Sequence, residues 1–195
     1  MAPTFTVCIY CGARDGRSPL YRKAAQHVDR VIGERGWRMV YGGGKAGLMG
    51  AVADAALAAG ASVVGVIPRS LMEREVGHRG LSDLHVVETT HQRKQMMAER
   101  AGAFLTLPGG IGSMEEPFEV WSWRQLGYHD QPIGLLDVDG YYQSLHALMQ
   151  RMLAEDFVSA STHAMLAIGD DPVELLERLA GQARHSHGRD DYGCI

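Results

Sequence analysis

A doubly wound α/β fold, a mostly parallel sheet with helices on both faces, follows from three features of this sequence. Short apolar runs alternate with helical stripes from end to end. Several of the runs are near-continuous rather than alternating, as in parallel strands covered on both faces. Three of them lead directly into glycines and then into a helical pattern, the punctuation of strand–turn–helix units joined by right-handed crossovers.

Strands are expected at 4–10, 37–41, 62–67, 84–88, 103–107 and 133–137. The first helix opens at Ser18-Pro19, a cap with proline at the first helical position. It carries Leu20, Ala24, Val28, Val31 and Ile32 on one stripe and stops at Gly36. An alanine-rich helix runs from Leu48 to Ala59 and ends at Gly60, its small residues suited to close packing on a sheet. Further helices are expected near 90–101, 113–127, 141–155 and 172–183, the last opened by Asp171-Pro172 and the box Asp171-x-x-Glu174. No internal repeat or linker divides the chain. One domain is expected over 1–184, followed by a polar, frayed tail over 185–195 in which His185-x-His187 reads as tail rather than metal site.

At 195 residues, 46% apolar and 22% charged, the chain can bury one sizeable core. A net charge of −4 argues against nucleic acid or an anionic membrane as partner. No leader-like N-terminus and no apolar run near the roughly 20 residues of a membrane span occur, which points to the cytoplasm. Cys8-x-x-Cys11 lacks a second thiol pair for zinc, with only Cys194 left over. Cys8 also lies inside a strand rather than at a helix start, so buried structural thiols are expected. No metal or cofactor is called for, because the acids are not interleaved with histidines at ligand spacing.

The chemistry concentrates in Leu107-Pro108-Gly109-Gly110-Ile111-Gly112-Ser113-Met114-Glu115-Glu116. A strand feeding a glycine turn and a helix start presents bare N–H groups where a phosphate is favoured. Ser113-x-x-Glu116 also matches a capping box, which explains one serine and one glutamate but not three preceding glycines. On this reading Glu115 and Glu116 sit in the first helical turn and Pro117 at about the fourth position, where proline is tolerated. The dipole then holds Glu116 ionised, fit to stabilise a cation or activate water and unfit to donate a proton.

Two further glycine junctions, Cys11-Gly12-Ala13 and Tyr41-Gly42-Gly43-Gly44-Lys45-Ala46-Gly47, converge on the same carboxyl edge of the sheet. Gly42-x-Gly44-x-x-Gly47 matches a dinucleotide fingerprint formally, but it follows the second strand and no acid stands about 20 residues on. Tight helix–strand packing and phosphate contact explain that loop equally well. Arg93 and Lys94 open a helix at the same edge, where cations oppose the dipole and so suggest another use.

These stretches resemble the LOG ("Lonely Guy") family, cytokinin riboside 5′-monophosphate phosphoribohydrolases, over residues 5–180. Thr90-His91-Gln92-Arg93-Lys94, Leu107–Glu116 and Tyr41-Gly42-Gly43-Gly44-x-x-Gly47-Leu48-Met49-Gly50 carry the likeness. So do Trp123-Arg124-Gln125-Leu126-Gly127-Tyr128-His129-Asp130 and Leu136-Asp137-Val138-Asp139-Gly140-Tyr141-Tyr142. The resemblance implies a Rossmann-like hydrolase that splits a nucleoside 5′-monophosphate into free base and ribose 5-phosphate. It places catalytic roles at Arg93 and Glu116, with Arg93 orienting Glu116 or binding ribose or phosphate. Substrate contacts fall at Glu75, Lys94, Gly109, Gly110, Ile111, Gly112, Ser113, Met114, Glu115 and Ser122, and phosphate or base contacts at Gly12, Gly43, Gly44 and Met49. It also implies a homodimer, to which the helix segment Phe118-Glu119-Val120-Trp121-Ser122-Trp123 is suited. Ser113 stands where relatives usually have threonine, Thr90 where they have methionine, and Pro117 where leucine is common. A "lysine decarboxylase" label carried by many relatives has no physical support here, since nothing marks a pyridoxal-phosphate lysine. The alternative is a non-catalytic carrier of a phosphorylated ligand, of the molybdenum-cofactor carrier type. An NAD-type oxidoreductase is disfavoured by the missing ribose-binding acid.

Overall fold

The computed structural model describes residues 5–75 and 77–184, the side chains of Glu73 and Glu75 excepted. Seven strands form its sheet: β1 (Thr6–Tyr10), β2 (Arg38–Tyr41), β3 (Ser62–Pro68), β4 (Asp83–Val87), β5 (Ala103–Thr106), β6 (Ile133–Leu136) and β7 (Leu166–Gly169). They lie in the order β4-β3-β2-β1-β5-β6-β7, every pairing parallel. The chain winds outward from β1 to one edge, returns to the middle at β5, and winds outward to the other. This is the doubly wound sheet the apolar runs predict.

Among the described residues eight α-helices pack on the sheet, all but the last connecting strands: α1 (Pro19–Glu34), α2 (Gly47–Ala58), α3 (Arg69–Glu75), α4 (Thr90–Arg100), α5 (Ile111–Gln125), α6 (Gln143–Ala154), α7 (Ala160–His163) and α8 (Pro172–Ala183). Because successive strand residues point to opposite faces, β1 serves two cores. Val7 and Ile9 pack with α1, α2 and α8, whereas Cys8 and Tyr10 pack with α4, α5 and α6. Ser18, Thr89 and Asp171 cap α1, α4 and α8 through their side chains, and Thr89 completes a capping box with Gln92.

Three elements were not legible in the sequence pattern. β7 is four residues at the sheet edge, too short for a periodic signal. α3 has seven residues with no apolar stripe, and α7 is a single turn set by Ser159, which caps Thr162 N–H at 3.1 Å. Cys8 and Cys11 are buried free thiols, and burial pushes both above their usual range. The tail from 185 onward, with His185, His187 and Cys194, lies outside the described residues. No helix among the described residues is long and apolar enough to cross a membrane.

Candidate active site

Strand order reverses between β1 and β5, and ligands of open α/β sheets sit in the crevice outside the carboxyl ends at that switch point. A cavity of about 610 Å³ opens there, walled by the ends of β1, β2 and β5 and the turns that follow them. Of the positions singled out from the sequence, Gly12, Met49, Arg93, Gly109, Gly110, Ile111, Gly112, Ser113 and Glu116 line it.

The turn after β5 is built differently from the expected capping box. α5 begins at Ile111, two residues earlier, with Gly110 as a cap that offers no side chain. Ser113 is therefore the third helical residue and Glu116 the sixth, with no acid in the first turn. The first intrahelical bond runs from Met114 N–H to Gly110 O at 3.1 Å, so the N–H groups just before it have no partner within the helix. Pro117 is the seventh helical residue rather than about the fourth, and it supplies no N–H to the carbonyl of Ser113. Two consecutive tyrosines pin the turn from below. Tyr141 Oη donates to Gly109 O at 2.5 Å and Tyr142 Oη to Leu107 O at 2.8 Å. Two carbonyls flanking Pro108 are thereby drawn toward the tyrosines. Tyr142 is itself held by its N–H bond to Asp137 Oδ1 at 2.6 Å.

Ser113 and Glu116 are three residues apart and share one face of α5, with about 4.5 Å of helical rise between them. Burial pushes Glu116 from 4.5 to about 7, only partly offset by the nearby Arg93 guanidinium. This corrects the expected dipole-held carboxylate, because the second turn is beyond the strongest reach of the helix end and the cavity wall strips water from the group. Arg93 is anchored by backbone: Nε donates to Val66 O at 3.1 Å and an η-nitrogen to Gly42 O at 3.2 Å. Its charge thus stands beside Glu116 on a frame supplied by β3 and the turn after β2.

The other expected contacts lie off the cavity. Lys94 Nζ donates to Glu115 Oε1 and Glu119 Oε1, both at 2.7 Å, and ties α4 to the outer face of α5. Met114 packs among the side chains of the α4–α5–α6 core, and Ser122 is exposed further along α5. Both face away because a helix shows the cavity only one stripe. Gly43 and Gly44 are absorbed into packing: the space beside Gly43 is bounded by Ile67, Leu84 and Val66, its carbonyl accepts from His78 N–H at 3.0 Å, and Gly44 bridges Gly77. Gly42 is the residue of that loop that reaches the cavity wall. The Glu75 side chain lies outside the described residues.

Four residues at the mouth escaped the sequence reading: Arg14, Asp15, Tyr21 and Tyr141. Tyr21 and Tyr141 meet edge to face, ring centroids 5.6 Å apart. Arg14 and Asp15 follow directly on the Gly12 junction, and that adjacency was the available signal. None of the three lysines lines the cavity.

Residues 49–179 match a family model described as "Possible lysine decarboxylase". LOGL6 of Oryza sativa subsp. japonica, named a "Probable cytokinin riboside 5'-monophosphate phosphoribohydrolase", is 43% identical over 180 residues, 92% of this chain and 72% of that protein. LOG7 of Arabidopsis thaliana, a cytokinin riboside 5'-monophosphate phosphoribohydrolase, is 42% identical over 173 residues, 89% of this chain and 80% of that protein. Among solved structures, the molybdenum cofactor binding protein of Rippkaea orientalis superposes with a TM-score of 0.69 at 16% identity, covering 93% of this chain and 98% of that one. The molybdenum cofactor carrier protein of Chlamydomonas reinhardtii gives 0.67 at 15%, covering 93% and 99%. At such identities these two likenesses concern the fold alone.

Proposed function

This chain belongs to the LOG family of cytokinin riboside 5′-monophosphate phosphoribohydrolases, and from that premise we propose that it hydrolyses the N-glycosidic bond of a nucleoside 5′-monophosphate. Water is consumed, and free base and ribose 5-phosphate are released. The observation that carries this reading is the single face of α5 that presents unpartnered N–H groups, Ser113 and then Glu116 to one cavity. The rise between them is on the scale of a ribose between its 5′-phosphate and its anomeric carbon.

In this reading the phosphate rests on the N–H groups of Gly110–Ser113, where the helix dipole favours it. The anomeric carbon then faces Glu116. As the base departs, the ribose gains oxocarbenium character, and ionised Glu116 stabilises that charge and orients the attacking water. A group titrating at about 7 is also able to take up the proton that water loses. Arg93, itself fixed on the Val66 and Gly42 carbonyls, keeps part of the Glu116 population ionised through its charge. Lys94 serves by fixing α4 against α5. A Schiff-base decarboxylation has no candidate lysine in the cavity, with Lys94 engaged by two carboxylates. We further propose a homodimer, supported by the exposed Phe118, Leu126 and Leu148 on the α5–α6 side, and a cytoplasmic location.

The test is incubation with AMP and with N6-isopentenyl AMP while free base is followed. Base release is expected, and Glu116→Gln should lower its rate about 100- to 1,000-fold. Absence of release from any nucleoside monophosphate would sink the reading. Tighter nucleotide binding by Glu116→Ala together with no turnover by the wild type would favour a carrier.

A further inference from the structure

The charges lining the cavity balance two against two, but their pairing leaves one cation over. The charged lining residues are Arg14, Asp15, Arg93 and Glu116. The charge of Arg93 is near enough to favour the Glu116 carboxylate. At the mouth, Arg22 neutralises Asp15, with Nε at 3.1 Å and an η-nitrogen at 2.7 Å from the same Oδ1. Arg14 is left over: its guanidinium takes no hydrogen-bond or ion-pair partner from the described residues.

Its backbone, by contrast, is held closely. A Cβ on Gly12 would lie 2.9 Å from Arg14 O and 3.3 Å from Gly109 Cα, and Gly12 N–H donates to Pro108 O at 3.2 Å. A Cβ on Gly47 would come within 2.5 Å of Arg14 Cα. Arg14 therefore sits where the three glycine junctions after β1, β2 and β5 touch, next to the open N-terminus of α5. A closely held backbone whose guanidinium lines the same cavity as the bare N–H groups is an arrangement suited to a dianionic group.

Resting on the reading of this cavity as a nucleotide site, we propose that Arg14 is the specificity residue for the 5′-phosphate, the cation that separates nucleoside monophosphates from nucleosides. N–H groups alone orient a phosphate, whereas Arg14 supplies the full charge and a two-pronged donor. The aromatic pair Tyr21–Tyr141 bounds the same mouth.

The experiment measures dissociation constants of ribose 5-phosphate, AMP and adenosine for the wild type, Arg14→Ala and Arg14→Lys by calorimetry, together with KM and kcat for AMP. Arg14→Ala should weaken ribose 5-phosphate and AMP about 10- to 100-fold and leave adenosine unchanged. KM should rise with kcat within about threefold, since binding rather than bond cleavage is affected. Arg14→Lys should fall between, keeping charge without the fork. Added salt should weaken AMP binding more for the wild type than for Arg14→Ala. Unchanged phosphate-ligand affinity in Arg14→Ala, or an equal loss for adenosine, overturns the proposal. Selective loss of AMP binding in a protein that releases no base supports Arg14 and overturns the hydrolase reading. A wild type that binds none of the three overturns both.

Discussion

Of the two glycine-rich loops at the carboxyl edge, the one after β2 is filled and the one after β5 is open. Where a Cβ on Gly42 would stand, the guanidinium of Arg93 already stands. Gly43 abuts Ile67 and Leu84, with contacts of 3.1 and 3.3 Å for an added Cβ. Gly47 adopts φ +59 against the backbone of Ala13 and Arg14. Around Gly110 and Gly112, by contrast, nothing comes within 4 Å of an added Cβ, and both line the cavity. The first loop uses its glycines to bring protein against protein. The second packs Gly109 against Ser113 and Gly12 but leaves the backbone at Gly110 and Gly112 bare to the cavity. Glycine spacing alone does not distinguish these uses, since what enters the vacated space is decided by distant segments.

Substitutions by alanine should separate the two loops, and the largest effect is expected at Gly47. Alanine there must take a left-handed conformation and press on fixed backbone, so a loss of roughly 2–4 kcal/mol in denaturant unfolding is expected. Equal stability would show that this loop is not packed as described. Gly42→Ala should be more selective. Its obstacle is the end of a flexible side chain, so the melting temperature should move by a few degrees at most. Displaced Arg93 should nevertheless lower base release by about 100-fold. A melting loss without a rate loss would reverse that assignment.

A third effect is read in pH. The Glu116 carboxyl lies at about 7 in the fold and near 4.5 when exposed, so the folded state holds its proton more tightly. Its contribution to stability is full below about 4.5 and is lost as pH rises through about 7. Glu116→Gln should flatten this slope and gain about 1–2 kcal/mol over the wild type at pH 8. The base-release rate should move the other way, rising through about pH 7 as the carboxylate forms. The smallest effect belongs to Gly110→Ala, where space is open and φ is −91: stability within about 0.5 kcal/mol, and a change confined to phosphate binding.

Much of the fold was legible before any coordinate. Val63–Ile67 and Ala103–Leu105 are near-continuous apolar runs because both faces of a parallel strand are covered, and that requirement is written locally. Helices with side-chain caps, α1 from Ser18 and α8 from Asp171, were legible to within a residue or two. α5 was misplaced because Ser113-x-x-Glu116 satisfies the capping pattern, while the actual cap is a glycine with nothing to read. Lys94 is expected from the sequence as a substrate contact beside Arg93. Neighbouring positions on a helix point about 100° apart, and only packing of α4 on α5 determines which of the two meets the cavity.

By itself, then, the sequence determined six of the seven strands, the longer helices and the glycine junctions, since each depends on near neighbours along the chain, and its family resemblance marked Arg93 and Glu116. Tertiary structure alone decided that Arg93 hangs on the carbonyls of Val66 and Gly42 and that Lys94 turns away. It alone decided that Glu116 is held near 7 and that Arg14 keeps an unopposed charge at the mouth. Proton affinity and charge balance are set by what surrounds a group in space, and those surroundings come from segments far apart in the chain.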